Sequence, residues 1–437
     1  MPRIKPLILL SVILATSPAV FAQSPASPTQ PPAASTPELS PAAAYREAMR
    51  PVEITRAAVA NWSDTEQSSL GVAIKQASVA CAARATTDFT GSALVDLSRL
   101  CALGFTWPAT VAAANRYIHE DVTPKPRLAE AYALLINAEL QLKDEHSALT
   151  DALALLTAVP YTSVVADATN QAIGYMHLLY TVDAVTLAAK RQPLLLAALH
   201  PASPDVQATP DAPPSTADLY KQALVLAELQ QLQAEPAAAQ ETVAAIESAL
   251  PSAIANDDLI AINRMRDRYA LLGKPLPAIA PLASLATLPR APKLPPHHTV
   301  TVLLLFPDWC AQCIRIAKQM PAGIFAVNQH DAYIYGLLAQ TVPPQEMPKL
   351  STKDTSAQKE SFNPAYAAAS LRGTPTFTVP PALLDTFNAT DLPLLIVTDS
   401  HGIVRLFDIA NESALQPGDT VDSAVALIGA NWSSTPK

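Results

Sequence analysis

The sequence predicts a multidomain chain in which an all-α region of helical hairpins precedes a three-layer α/β domain. From about residue 42 to 200, apolar residues recur at the spacing of one helix face, and helical patterning resumes after residue 216. From Thr299 onward, apolar runs of strand length alternate with helical segments, which is typical of an α/β domain. Proline-rich stretches separate these regions, and we place the domain boundaries there.

The chain begins with the pattern of a secretory signal peptide at residues 1–22. Arg3 and Lys5 precede an apolar run from Leu7 to Leu14, and Val20 and Ala22 occupy the small-residue positions before a cleavage site. The apolar run is shorter than the roughly 20 residues that a membrane span needs. We therefore expect cleavage after Ala22 and a periplasmic or secreted protein with no stable membrane insertion.

Composition narrows the class of partner. The chain has 437 residues and a formal net charge of −9, whereas nucleic-acid binding needs clustered Lys and Arg. We expect no nucleic-acid partner. Only four cysteines follow the export signal. This number favours a protein that handles thiols or holds one structural bond over a disulfide-dense scaffold.

Residues 23–43 are rich in Pro, Ala and Ser and are predicted to form an extended tether before a helical domain at residues 44–273. One predicted helix carries an apolar face at Ala131, Leu135 and Leu142, and a polar KDEHS turn leads into a second such helix. The pair reads as a helical hairpin that weakly resembles tetratricopeptide repeats. No convincing 34-residue period is visible, so a plain helical bundle stays an alternative.

A proline-rich loop at residues 201–216 interrupts the helical domain. Ser215 or Thr216 is a suitable N-cap for the helix after it, and Asn256 is a suitable N-cap for a later helix that stops at Gly273. A second proline-punctuated stretch, residues 274–297, is predicted to be a linker to the final domain at residues 298–432.

The chemistry of the chain centres on the sequence PDWCAQC, residues 307–313. It follows TVTVLLLF, a continuous apolar run as expected of a central buried strand, and IRIAKQM continues after it as a helix. Backbone N–H groups and the dipole at a helix start lower the free energy of a thiolate there. Cys310 is therefore the expected nucleophile, and Cys313 the thiol that resolves a mixed disulfide.

The Trp309-Cys310-x-x-Cys313 block at the end of an apolar strand resembles the thioredoxin superfamily, most closely its exported thiol:disulfide oxidoreductases. The resemblance covers roughly His298 to Ile428. It implies a thioredoxin-like fold and dithiol–disulfide exchange with protein thiols or disulfides and with a redox partner protein. It implies neither a cofactor nor a metal.

The resemblance also implies a cis-proline that faces the cysteine pair and positions the substrate. We prefer Pro393, with Leu392 before it and Trp309 packing beside the site, because the strand LLIVTD, a Gly turn and the strand IVRLFDI follow. Pro375 in RGTPTFTVP is the competitor, although TPTFTV fits an extra strand before the true site.

Two departures from the family pattern leave the direction of electron flow open. Leu304 stands six positions before Cys310, where thioredoxins often bury an acid, and Asp308 or Asp391 is a substitute only by proximity. The dipeptide between the cysteines is Ala311-Gln312, which does not fix the reduction potential.

Alternative interpretations of the cysteines stay open. His297 and His298 could supply zinc ligands to the CxxC pair, but adjacent histidines are poorly placed around one tetrahedral ion. The α/β domain could also have lost redox turnover, which would leave a non-enzymatic helical interaction protein. Cys81 and Cys101 lie in apolar helical sequence, and we expect them to form a structural disulfide rather than two buried thiols.

Overall fold

The structure is a computed structural model that describes residues 39–58, 64–121, 123–200, 214–277, 283–284, 300–310, 313–314, 316–317, 332–339, 376–389, 392–409 and 417–432. The predicted signal peptide, its cleavage site and most of the tether lie outside these residues. From Ser40 onward the chain belongs to one compact unit. None of the described helices combines the length and the apolar character that crossing a membrane requires.

Helices occupy the described chain up to residue 269, and neighbours along the sequence pack against each other, as in an array of helical hairpins. The prediction of a helical region followed by an α/β region is thereby confirmed. The helices are α1 (Pro41–Ala58), α2 (Asp64–Ala82), α3 (Ser92–Leu103), α4 (Trp107–His119), α5 (Leu128–Gln141), α6 (Glu145–Ala158), α7 (Ser163–Met176), α8 (Thr181–Leu199), α9 (Thr216–Leu232), α10 (Pro236–Ala249) and α11 (Asn256–Tyr269).

Of the predicted boundaries in the helical region, one cap is confirmed and two positions need correction. Ser215 caps α9 as predicted, because its Oγ accepts the Asp218 N–H at 3.1 Å. Asn256 is the first residue of α11 rather than its N-cap, and Ala255 takes the cap position. The predicted tether ends three residues early, because α1 begins at Pro41. Proline suits the first turn of a helix, where its missing N–H has no intrahelical partner.

A disulfide joins Cys81 of α2 to Cys101 of α3, with a Cα–Cα distance of 5.1 Å. Both cysteines are buried in a small core with Leu97, Leu100 and Ala113. The bridge closes a loop with a sequence separation of 20 residues, which on the loop-entropy model stabilises the fold by about 3 kcal/mol. The expected structural pairing is therefore present.

The α/β region is built on a six-stranded mixed sheet with the order β1-β4-β3-β2-β5-β6. Strand β2 is central, parallel to β3 and antiparallel to β5, while β4 is parallel to β3 and β6 is antiparallel to β5. The elements are β1 (Ala283–Ser284), β2 (Thr301–Pro307), β3 (Tyr333–Ala339), β4 (Thr376–Val379), α12 (Ala382–Thr386), β5 (Leu394–Thr398), β6 (Val404–Ile409) and α13 (Pro417–Trp432).

Both faces of the sheet are covered, which makes three layers. Alternate residues of β2 point to opposite faces. Leu304 and its neighbours two residues away join a core with Cys313 and with α13, whereas Leu303 and Leu305 join a separate core with Phe387 after α12. This double burial explains why the β2 sequence is apolar throughout instead of alternating.

The described residues of the predicted linker at residues 274–297 pair with the sheet. Lys274 and Leu276 pair with the start of β6 and the turn before it: the Val404 N–H donates to the Lys274 C=O at 2.9 Å, and the Leu276 N–H donates to the Gly402 C=O at 2.9 Å. Pro275 lies between the paired residues, and the next described piece, β1, pairs with β4. Proline is tolerated at a sheet edge where its ring nitrogen is not needed as a donor.

The α/β region is fixed to the helices through the end of α9. The Asn431 Nδ2 donates to the Leu232 C=O at 2.7 Å, and the Trp432 Nε1 donates to the Gln231 C=O at 3.0 Å. These donors from α13 reach carbonyls in the last turn of α9, and the Gln231 C=O also accepts the Ala234 N–H at 3.1 Å. The Arg405 guanidinium lies 3.4 Å from the centre of the Trp432 ring, which ties the same tryptophan to β6.

Glu139 is a buried acid in the helical region. Burial, with the neighbouring Asp151 carboxyl, raises the pKa of Glu139 to about 8. The folded state therefore keeps a proton that the unfolded chain releases above the ordinary glutamate pKa. This stabilisation is complete at pH 4 and is lost as the pH rises to about 8.

We predict that Glu139→Gln gains stability over wild type as the pH rises from 5 to 9, because the amide never ionises. The advantage in unfolding free energy should grow by more than about 1 kcal/mol, measured by urea denaturation. Glu53→Gln, on the exposed face of α1, is the control and should show no such change. A parallel pH dependence of wild type and Glu139→Gln would contradict the assignment.

Candidate active site

The CxxC motif follows the C-terminal end of the central strand β2. All seven of its residues are buried, and the Asp308 N–H still donates to the Ala339 C=O of β3 at 3.0 Å. The chain then turns, because the Cys310 N–H donates to the Pro307 C=O at 3.2 Å. The end of a rigid, buried strand therefore determines where Cys310 lies.

Helical backbone follows Cys310 at residues 313–314 and 316–317. The Cys310 C=O accepts the Ile314 N–H at 3.1 Å, and the Cys310 Sγ accepts the Cys313 N–H at 3.2 Å. An N-cap residue makes this pair of interactions, with sulfur in place of the usual side-chain oxygen. Negative charge that develops on this sulfur would face the Cys313 N–H and the positive end of the helix dipole. Cys310 is thus suited to be the thiolate of the pair.

The two cysteines are joined by a disulfide and differ in access. Their Cα atoms are 5.2 Å apart. Cys310 is partly exposed, whereas Cys313 is 0% exposed and packs in the core under the sheet. An attacking thiol from solvent therefore reaches the sulfur of Cys310 first, and Cys313 is shielded. This asymmetry matches the predicted roles of a nucleophile and a resolving thiol.

The sheet register places Pro393 beside the motif. Leu305 of β2 pairs with Leu394 of β5 in antiparallel register, so the residues before Leu394 run alongside Phe306 and Pro307. The Leu392–Pro393 peptide bond is cis. Leu392 and Cys310 pack against the same hydrophobic core. Three sequence-predicted site residues, Cys310, Leu392 and Pro393, thus converge where β2 ends and β5 begins.

Other predicted site residues fall in different places. Trp309 and Asp308 are partly buried in the turn between β2 and the helix. Leu304 is fully buried in β2, so that position holds an apolar side chain in the core. Several predicted or considered positions lie outside the described residues, namely Pro375, Ala311, Gln312, Asp391, His297 and His298.

Among the described residues, no three His, Cys, Asp or Glu side chains lie close enough together to hold a metal ion.

Sequence reasoning missed the polar contacts that hold β6. Asp399 is 1% exposed, and its carboxylate accepts the His401 and Ile403 N–H groups and the Arg405 Nε–H. The His177 Nε2 and the Asp408 Oδ2 lie 3.1 Å apart, across 231 positions of sequence. An acid followed closely by Gly402 was a visible turn signal for the first group. No local pattern identifies the second.

Comparison of the sequence with protein-family models and with the curated proteins gives no match.

We predict that, after gentle reduction of the folded protein, Cys310 reacts with iodoacetamide at least about tenfold faster than Cys313, because only Cys310 is accessible and placed at a helix start. Peptide mass spectrometry of briefly alkylated samples measures the ratio. Cys81 and Cys101, both buried, serve as internal controls and should stay unlabelled until the protein unfolds. Equal labelling of Cys310 and Cys313 would contradict the geometry.

Proposed function

We propose that this chain is a thiol-disulfide oxidoreductase with a thioredoxin-like C-terminal domain that acts on protein substrates outside the cytoplasm. One observation carries the proposal. A partly exposed Cys310 lies just after the end of β2, and the cis Leu392–Pro393 bond lies beside it, just before the start of β5. The strand, cysteine pair, helix, cis-proline and antiparallel strand pair follow in the order expected from the resemblance.

In the proposed exchange, the Cys310 thiolate attacks one sulfur of a substrate disulfide. A bond forms between the Cys310 Sγ and that sulfur, and the second substrate sulfur leaves as a thiolate that takes a proton. The Cys313 thiol then loses its proton and attacks the Cys310 Sγ. The intramolecular disulfide forms, and the other substrate sulfur is released as a thiol.

Two electrons have then passed from the cysteine pair to the substrate, and a redox partner protein restores the dithiol. The same steps in reverse oxidise a substrate dithiol. The Cys313 N–H that contacts the Cys310 Sγ would stabilise the thiolate in either direction, because a hydrogen bond to the charged form favours that form.

The helical region, in this proposal, is a docking module with a fixed orientation to the redox site. Hydrogen bonds from Asn431 and Trp432 to the end of α9 and from the Asn388 Nδ2 to the Arg264 C=O at 2.8 Å cross between the two regions. A substrate that binds the helices would therefore meet Cys310 at a set distance.

A non-enzymatic interaction protein is the second candidate, and an exposed aromatic pair favours it. Phe105 is 58% exposed between α3 and α4, and its ring stacks on Trp107 with centroids 5.4 Å apart. An exposed aromatic side chain of this size is more typical of a binding surface than of a plain structural turn.

We predict that Cys313→Ala traps a mixed disulfide between Cys310 and a substrate protein, because the resolving thiol is gone. The reduced variant is mixed with insulin that has been reduced, denatured and then partly reoxidised, so that disulfides are present. Non-reducing electrophoresis should then show a covalent adduct that dithiothreitol removes. Cys310→Ala/Cys313→Ala is the matched control and should form none. If wild type reduces insulin no faster than Cys310→Ala does, the result favours the second candidate, a non-enzymatic interaction protein.

A further inference from the structure

A cavity of about 640 Å³ opens between the helices and the sheet. It lies between α7, α9 and the edge strand β6, and β5 separates β6 from β2, which carries the cysteine pair. Binding sites for small ligands have volumes of roughly 300–1,000 Å³ and combine apolar walls with a few polar groups. Here Ile173, Val225 and Leu406 supply part of the apolar wall.

The charged side chains around the cavity are mainly acidic. Four carboxylates line it, from Asp167, Asp218, Glu228 and Asp408, against one lysine, Lys221. His177 also lines it and contacts Asp408, and this contact raises the pKa of His177 although burial opposes it. The electrostatic balance of the walls therefore favours a positively charged occupant.

Glu228 is a partly buried acid on the α9 wall of the cavity. In the part of the chain that the structure describes, its carboxylate accepts no hydrogen bond, and its nearest charged groups are Arg268, Asp408, His177 and Lys221. Burial raises the pKa of Glu228 to about 6. Partial burial of a carboxylate without a direct partner is unfavourable, and a cation in the cavity would offset that cost.

Gln222 provides a second, independent sign of a ligand. Its side chain is 8% exposed and lines the cavity. Its Oε1 already accepts the Tyr161 O–H at 2.6 Å, and its Nε2 donates to none of the described residues. Since Gln222 lines the cavity, its Nε2 is available to a carbonyl oxygen there.

We propose that this cavity binds a basic peptide segment, with a lysine or arginine side chain paired to Glu228 and a backbone carbonyl accepting from Gln222. The cationic end of the side chain would contact Glu228 and the backbone carbonyl would contact Gln222. The aliphatic stem between them would pack on the apolar wall. The proposal does not depend on the redox function, because neither cysteine contributes to the cavity.

The test is a ligand-observed NMR titration of the full chain at pH 7.5 with Nα-acetyl-lysine methylamide. An affinity of roughly millimolar is expected for a ligand of this size. The uncharged analogue Nα-acetyl-norleucine methylamide should bind at least about tenfold more weakly, because it lacks the cation. The cysteine double-alanine variant should bind like wild type, which separates this result from the redox proposal.

Glu228→Gln should weaken the lysine probe at least about tenfold. Glu241→Gln, an exposed acid of α10 outside the cavity, should leave binding unchanged. Val225→Trp, which places a bulky ring on the wall between Gln222 and Glu228, should weaken binding at least about tenfold and decides the question if Glu228→Gln does not fold. Equal binding of the two analogues, no binding of the lysine probe, or full affinity in folded Glu228→Gln or Val225→Trp would overturn the proposal.

Discussion

The central strand β2 is the constraint on which the rest of the α/β region depends. Its seven residues are all buried, and it pairs with β3 on one side and β5 on the other. A strand held on both edges and both faces cannot shift its register without moving its whole apolar set. Cys310 and Pro393 are therefore brought to one place by backbone pairing, before any interaction of their own side chains.

The second constraint is the attachment of the sheet to the helices. Trp432 contacts Arg405 of β6 and donates to the end of α9, and Arg405 in turn donates to the buried Asp399. A single chain of contacts thus links the turn after β5, the last helix and the helical array. The cavity beside Glu228 lies along this junction, because polar side chains of α7 and α9 face the edge of β6 across it.

The sequence predicted those features whose signal is local. Neighbouring residues alone predict the apolar strand β2, the strands on both sides of Gly402 and the Ser215 cap. The structure contains each of them. Pro393 was preferred to Pro375 because of the strand pair that follows it, and its peptide bond is cis.

Features that depend on distant partners could not be read in this way. Proline-rich sequence after Gly273 suggested a linker, yet Lys274 and Leu276 pair with the chain around β6, because alternate residues of an edge strand need no inward donor. His177 and Asp408 belong to a helix and a strand that meet only in the folded protein.

The reduction potential of the Cys310–Cys313 pair is the most direct test of a redox role. Equilibration of the folded protein with glutathione buffers, followed by mass spectrometry of the alkylated thiols, should give a reversible two-electron transition for this pair alone. Cys81–Cys101 should stay oxidised across the same range, because it is buried in the helical core. Reduction of both disulfides together, only on unfolding, would show that Cys310–Cys313 is a structural bond.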